Sequence, residues 1–210
     1  MRPDDDPDHR LMLQAQGGDA GAFAAIVERH GAAVVNFAQR ILGSSDDAED
    51  LAQDVFFRAF RALPTWQARA RLRTWLFTIT TNLCLNHRRS EGLRRHRSLD
   101  PSSDGHSRSM KLEPSGGPPP GGAMEREELR RAVRDAVDDL PPQQRVAMVL
   151  ARYEELPYAE IAEVMGVTVM AVKSLLNRAR ESLRRRLARE LKEYEALTPD
   201  DHDPEPEFES

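Results

Sequence analysis

Between Leu99 and Gly122 the chain runs through Pro101-Ser102-Ser103-Asp104-Gly105 and then Pro114-Ser115-Gly116-Gly117-Pro118-Pro119-Pro120-Gly121-Gly122. A stretch of that composition cannot bury enough apolar surface to offset the entropy of ordering it. It reads as a flexible linker with stiff proline patches, and it divides the 210 residues into two small domains on a string.

Both sides of the linker carry helical periodicity. Phe23, Ile26, Val27, His30, Val34, Phe37 and Ile41 recur at three- and four-residue spacing, with Asp19 as N-cap and Gly43 as stop. A second helix is expected from about Asp46 to Leu63, on the stripe Leu51, Val55, Ala59 and Leu63, ended by Pro64. A third, about Arg71–Arg89, would bury Leu72, Trp75, Leu76, Ile79 and Leu83. Beyond the linker, Leu129, Val133 and Val137 mark a fourth helix that stops at Leu140-Pro141-Pro142. Pro142 then suits the first turn of a fifth, Gln143–Glu154, where a missing amide costs little. Two short helices follow, split at Gly166. No alternating β-branched run bounded by turns appears, so the expected fold is all-α.

Charge is unevenly distributed. Residues 1–60 hold five basic side chains against eleven acidic ones, residues 61–99 nine against one, and residues 168–192 eight against two. Two basic blocks in a chain of net charge −5 point to a polyanion partner that the overall balance would argue against. The single cysteine, Cys84, excludes an internal disulfide and suits a reducing, cytoplasmic setting. No apolar run exceeds the six residues of Val146–Ala151, too short to span a bilayer, and the first residues, Met1-Arg2-Pro3-Asp4-Asp5-Asp6, lack a signal-peptide core. No phosphate-binding glycine loop or nucleophile elbow occurs, and Cys84 with His87 offers only two ligands on one helix face. The expectation is a non-enzymatic chain without cofactor, metal or small-molecule substrate, and without direct membrane insertion.

The segment Tyr158 to Leu175 has the pattern of a helix-turn-helix: small Ala162 for close helix approach, Gly166 for the positive φ of the turn, and Thr168 to cap the second helix. Ile161, Met165, Val167, Val172 and Leu175 or Leu176 would fill the wedge between the helices. The second helix continues into Lys173, Asn177, Arg178, Arg180 and Arg184-Arg185-Arg186, so its start would enter a major groove while the basic flank grips phosphates. In the first domain, Arg69, Arg71, Arg73, Arg88, Arg89, Arg94, Arg95 and Arg97 interleave with Trp66, Trp75 and Phe77, a mixture suited to unpaired strands. Trp75 lies on the apolar stripe and reads as core, Trp66 as the freer ring; Asn82 and Asn86 read equally as base contacts or as plain exposed amides. Asp46, Asp47 and Glu49 are explained by a helix start, whereas Asp50 and Asp54, with Gln53 beside them, form an i, i+4 face open to a basic partner.

Asp46 to Leu63 resembles the polymerase-binding helix of extracytoplasmic-function (ECF) sigma factors, and Thr74-Trp75-Leu76-Phe77-Thr78-Ile79 with Asn82 to Asn86 is similar to the helix that follows it. Leu140-Pro141-Pro142-Gln143-Gln144-Arg145, Val172-Lys173-Ser174 and Arg178-Ala179-Arg180 resemble the family's second domain. The resemblance implies a disordered acidic N-terminus at 1–10, sigma region 2 at 11–97, the linker at 98–123, region 4 at 124–194 and a disordered acidic tail at 195–210. It also implies a subunit that binds core RNA polymerase and promoter DNA, melting the minus-ten element with region 2 and reading the minus-thirty-five element with region 4. An anti-sigma factor is the further partner it implies.

Carried over by position, Asp47, Asp50, Gln53 and Asp54 would face polymerase. Trp66, Arg71, Arg73, Asn82, Asn86, Arg88 and Arg89 would meet the minus-ten strand. Thr168, Met170, Lys173, Ser174, Asn177, Arg178 and Arg180 would meet the minus-thirty-five duplex. The chain departs from the family at Leu175, Met170 and Pro157. A stand-alone helix-turn-helix regulator is the alternative reading.

Overall fold

The computed structural model describes residues 8–97 and 123–197, with side chains described over 8–91 and 130–188. The linker and the outer parts of both acidic tails lie outside the described residues, as do the side chains of Arg94, Arg95 and Arg97. Among the described residues there are eight α-helices and no strand.

The N-terminal half is built on α2, Ala20–Leu42. Asp19 Oδ1 accepts the Gly21 and Ala22 amides at 2.8 and 3.1 Å, satisfying donors that a helix start leaves orphaned. At the other end Gly43 takes φ 79°, and its amide returns to the Gln39 carbonyl at 2.8 Å. Ile26, His30, Val34, Phe37 and Ile41 form the buried stripe. Against it pack α1 (His9–Gln16), α3 (Ser45–Ala62) and α4 (Leu72–Arg97), joined after α3 by a 3-10 turn at Leu63–Thr65. The Phe37 and Phe77 rings meet at 5.0 Å in the centre of this core.

The C-terminal half holds α5 (Ala123–Asp138), α6 (Pro142–Arg152), α7 (Tyr158–Met165) and α8 (Val169–Leu197). Pro142 occupies the first turn of α6. Gly166 ends α7 at φ 64°, and the Val167 amide bonds the Ala162 carbonyl at 3.0 Å. Thr168 Oγ1 accepts the Ala171 amide at 3.2 Å to start α8. Ile161, Val164, Val172 and Leu176 are fully or nearly fully buried, so Leu176 rather than Leu175 is the wedge between α7 and α8.

Three elements differ from the expectation. Helix α1 starts at His9, inside the stretch expected to be a disordered tail, and is held by tertiary contacts: buried Asp8 meets His30 Nε2 at 2.6 Å and pairs with Arg29. Helix α3 is capped by Ser44, whose Oγ accepts the Asp47 amide at 3.3 Å, so it starts before Asp46. Helix α8 is not short; it spans 29 residues, because nothing after Val169 breaks it.

The two halves touch, α7 lying against α4 and α6 against α2. Buried apolar residues of both halves belong to one core cluster, and around it carboxylates and guanidiniums distant in sequence pair across the contact.

Candidate nucleic-acid and partner interfaces

On α3 the core stripe uses Ala48, Leu51, Ala52, Val55, Phe56 and Ala59. The helical period therefore turns Asp50, Gln53 and Asp54 outward, where all three are exposed; Asp47 is half-buried. The same face carries Phe57 and Phe60, 60% and 53% exposed. They edge an open apolar groove between α2 and α3, lined by Phe23, Val27, Val35 and Phe56, with Glu49 and Gln53 at its margin. Phe23 and Phe60 meet edge-on at 5.2 Å. Large rings left in water beside a carboxylate face form an exposed apolar patch next to a charged one. Sequence reasoning passed over both rings. The available signal was two aromatics lying off a core stripe that is already filled.

The basic block of α4 is divided by the fold. Asn82, Asn86 and Arg89 are exposed on one helix face at i, i+4 and i+7. Arg88 turns inward instead, its Nε and Nη2 donating to the Ile41 carbonyl at 3.2 and 3.0 Å, where it caps the end of α2. At the start of α4, Arg73 Nη2 donates to Glu154 Oε2 at 2.6 Å, with its guanidinium 5.2 Å from the Phe77 ring. Arg71 lies 3.7 Å from Glu160, and Thr74 Oγ1 donates to the same carboxylate at 3.0 Å. Trp66 is half-buried rather than free. Its ring sits edge-on to His9 and Trp75 at 5.5 and 6.4 Å, and Gln16 Nε2 holds the Leu63 and Trp66 carbonyls at 2.7 and 2.9 Å. Trp75 is also half-buried, packed against the core.

On the helix-turn-helix, Thr168, Met170, Lys173, Ser174, Asn177, Arg178 and Arg180 are all exposed, Met170 at 75%. Arg180 Nη2 reaches the Tyr158 hydroxyl at 3.4 Å, tying the recognition helix to α7. Arg184 and Arg185 lie within 4.0 Å of Glu181, and Arg186 lies 3.4 Å from Asp139. Pro157 precedes α7 without a side-chain cap.

Among the described residues, three titrating groups depart from their ordinary values, all through burial first. Burial pushes the Cys84 thiol up to about 12, against a lowering by Arg88. Burial and the Arg88 charge push the Arg145 guanidinium down to about 10, and burial raises Asp138 despite the nearby arginines. Among the described residues, Asp47, His87 and Glu91 bring possible metal-ligating atoms within 4.8 Å of one another, with His87 Nδ1 and Glu91 4.0 Å apart; buried Cys84 is not in this group. No helix among the described residues is long and apolar enough to cross a membrane.

Comparison with known proteins places two family models on the chain: "Sigma-70 region 2" over residues 26–94 and "Sigma-70, region 4" over residues 130–183. The ECF RNA polymerase sigma factor SigE of Mycolicibacterium smegmatis is 34% identical over 191 residues, covering 90% of this chain and 71% of SigE. Among solved structures, CnrH in complex with the cytosolic domain of CnrY matches at TM-score 0.61 and 28% identity, over 87% of this chain and 98% of CnrH. The sigma factor RpoE from Bartonella quintana, solved with the anti-sigma factor NepR, matches at TM-score 0.59 and 25% identity, over 79% of this chain and 96% of RpoE.

Proposed function

Because this chain belongs to the ECF sigma factors and is a sigma factor of RNA polymerase, we propose which of its surfaces performs each part of that task. Residues 11–97 act as region 2 and 124–194 as region 4, with 98–123 as the tether. The α3 face of Asp50, Gln53 and Asp54, with Asp47 at its edge, docks on core polymerase. The observation that carries this reading is the pair of water-exposed rings, Phe57 and Phe60, beside those carboxylates. Apolar area supplies affinity, and the acids supply orientation and on-rate toward a basic partner.

Asn82, Asn86 and Arg89 on the open face of α4, with Arg71, Arg73 and Trp66 at its start, take the unpaired minus-ten strand. Strand capture needs no nucleotide hydrolysis when stacking contributes on the order of 1–3 kcal/mol per base against lost duplex stacking. Arg88 serves instead to seal α2. The start of α8 enters the minus-thirty-five major groove with Thr168, Met170, Lys173 and Ser174, while Asn177, Arg178 and Arg180 reach phosphates. Exposed Met170 offers an apolar contact to a thymine methyl where a bidentate side chain would read a guanine. The chain acts in the cytoplasm, performs no catalytic step of its own, and is held in reserve by an anti-sigma factor; the likeness to RpoE bound to NepR supports that partner.

The test is purified core polymerase with this chain on a randomised promoter library. The expected result is co-elution with core and a defined set of start sites carrying paired minus-thirty-five and minus-ten elements. Duplex binding by the chain alone, with no core binding and no directed transcript, would favour a stand-alone regulator instead.

A further inference from the structure

Among the described residues, five polar or cation–ring contacts join the halves, and three of them converge on the start of α4. Glu154, with a side chain only 7% exposed, accepts from Arg73 at 2.6 Å. Glu160, in the first turn of α7, takes Thr74 Oγ1 at 3.0 Å and lies 3.7 Å from Arg71. The remaining two clamp the end of α2: the Arg40 guanidinium lies 4.1 Å above the Tyr153 ring, and Arg145 Nη1 donates to the Ile41 carbonyl at 2.9 Å.

The donors used at α4 are two guanidiniums and a hydroxyl, which are the groups that fit the oxygens of a phosphodiester. Here carboxylates hold them. The turn that delivers Glu154 also has an unusual backbone. Glu155 sits at φ 53°, the non-glycine with positive φ among the described residues, and the amides of Glu154 and Leu156 bond back to the Val149 and Leu150 carbonyls at 3.2 and 3.1 Å. A β-carbon in that region is disfavoured and persists where surrounding contacts over-determine it. These bonds hold the turn in a shape from which Glu154 reaches across the interface.

We propose that Glu154 and Glu160 are a built-in occupant of the strand-binding start of α4: in the closed protein they stand in for DNA phosphates on Arg71, Arg73 and Thr74, and the halves must part before a single strand can bind there. The inference rests on the reading of Arg71 and Arg73 as strand contacts, and it adds the competitor for that site. Carboxylates from one half and phosphates from DNA cannot both hold the same guanidinium forks. Strand affinity is therefore multiplied by the fraction of molecules that are open. Any partner that binds the open form better, core polymerase included, raises that fraction and with it the affinity for the strand.

The experiment uses the full chain with donor and acceptor dyes at Ser90→Cys on α4 and Glu163→Cys on α7, both exposed positions, the native Cys84 being buried. Energy transfer reads the separation of the halves. Anisotropy of a labelled single-stranded 12-mer, in the absence of polymerase, reads strand capture. The isosteric double variant Glu154→Gln/Glu160→Gln should lower transfer and tighten oligonucleotide binding by about tenfold. The charge swap Arg73→Glu/Glu154→Arg should restore high transfer, which a variant that merely unfolded could not do. Unchanged transfer in the double variant overturns the inference that the acids hold the halves closed. Reduced transfer with unchanged oligonucleotide affinity overturns the competition and, separately, the assignment of Arg71 and Arg73 to the strand.

Discussion

Replacing Phe57 by alanine isolates the polymerase-docking face, because this ring does almost nothing for the fold. It is 60% exposed, and the Arg61 guanidinium lies 5.9 Å from its ring. A phenylalanine presents roughly 200 Å² when open to water, so about 120 Å² of this one awaits a partner. Truncation to alanine keeps the β-carbon and removes roughly 90 Å² of buriable surface, worth about 2.2 kcal/mol at 25 cal/mol/Å². Affinity for core polymerase should therefore fall about forty-fold, while the stability of the free chain stays within about 0.5 kcal/mol. The assay is a titration of dye-labelled chain with purified core at fixed salt, beside a urea melt of both proteins. Phe60→Ala is the informative companion. Phe60 packs edge-on against Phe23 at 5.2 Å, so its loss should lower stability as well as affinity. An unchanged dissociation constant for Phe57→Ala, with the melt also unchanged, would refute the docking face as drawn.

Other substitutions probe the remaining surfaces and the fold. Asp50→Lys with Asp54→Lys should weaken core binding most at low ionic strength while the helix content by circular dichroism persists; a loss that ignores salt would argue against charge steering. Arg178→Ala should reduce promoter affinity and flatten its logarithmic salt dependence by about one phosphate contact, read from a titration series across salt. Gly43→Ala meets no atom within 4 Å but must adopt φ 79°, so a urea melt should show a loss of about 1 kcal/mol from backbone strain alone. The Cys84 thiol, raised by burial from 9.0 to about 12, gives a pH signature. The unfolded chain loses this proton first, so its stabilising share is intact below pH 9 and declines as the pH rises from 9 toward 12. Cys84→Ala should remove that slope in urea melts recorded across this range, and an identical slope would rule the thiol out as its source.

Much of the fold could be read from local chemistry. Asp19, Gly43, Pro142, Gly166 and Thr168 mark helix ends that depend on a few neighbouring atoms, and each performs the capping or turning expected of it. Helix α1 could not be read that way. It has eight residues, and its buried side chains Met12 and Ala15 make too short a pattern to announce a helix. Its order depends on Asp8 meeting His30, 22 positions away, and Gln16 meeting Trp66, 50 positions away. The fate of the basic residues was hidden for the same reason. Arg73 and Glu154 are 81 positions apart, and no periodicity within either helix records that they meet. Arg88 sits in a basic run and looks like its neighbour Arg89, yet only the end of α2 beneath it decides that one caps a carbonyl and the other faces water.

The Ile41 carbonyl receives guanidinium donors from both halves, Arg88 from one and Arg145 from the other. Arg145 is almost wholly enclosed, yet Asp138, on its own half, lies 3.2 Å away. When the halves swing apart its counter-ion travels with it, and Arg88 keeps its grip on the shared oxygen. Separation thus sacrifices a single donor at this junction and strands no charge in an apolar wall. A junction built in this way lets the halves part without leaving the Arg145 charge unpaired.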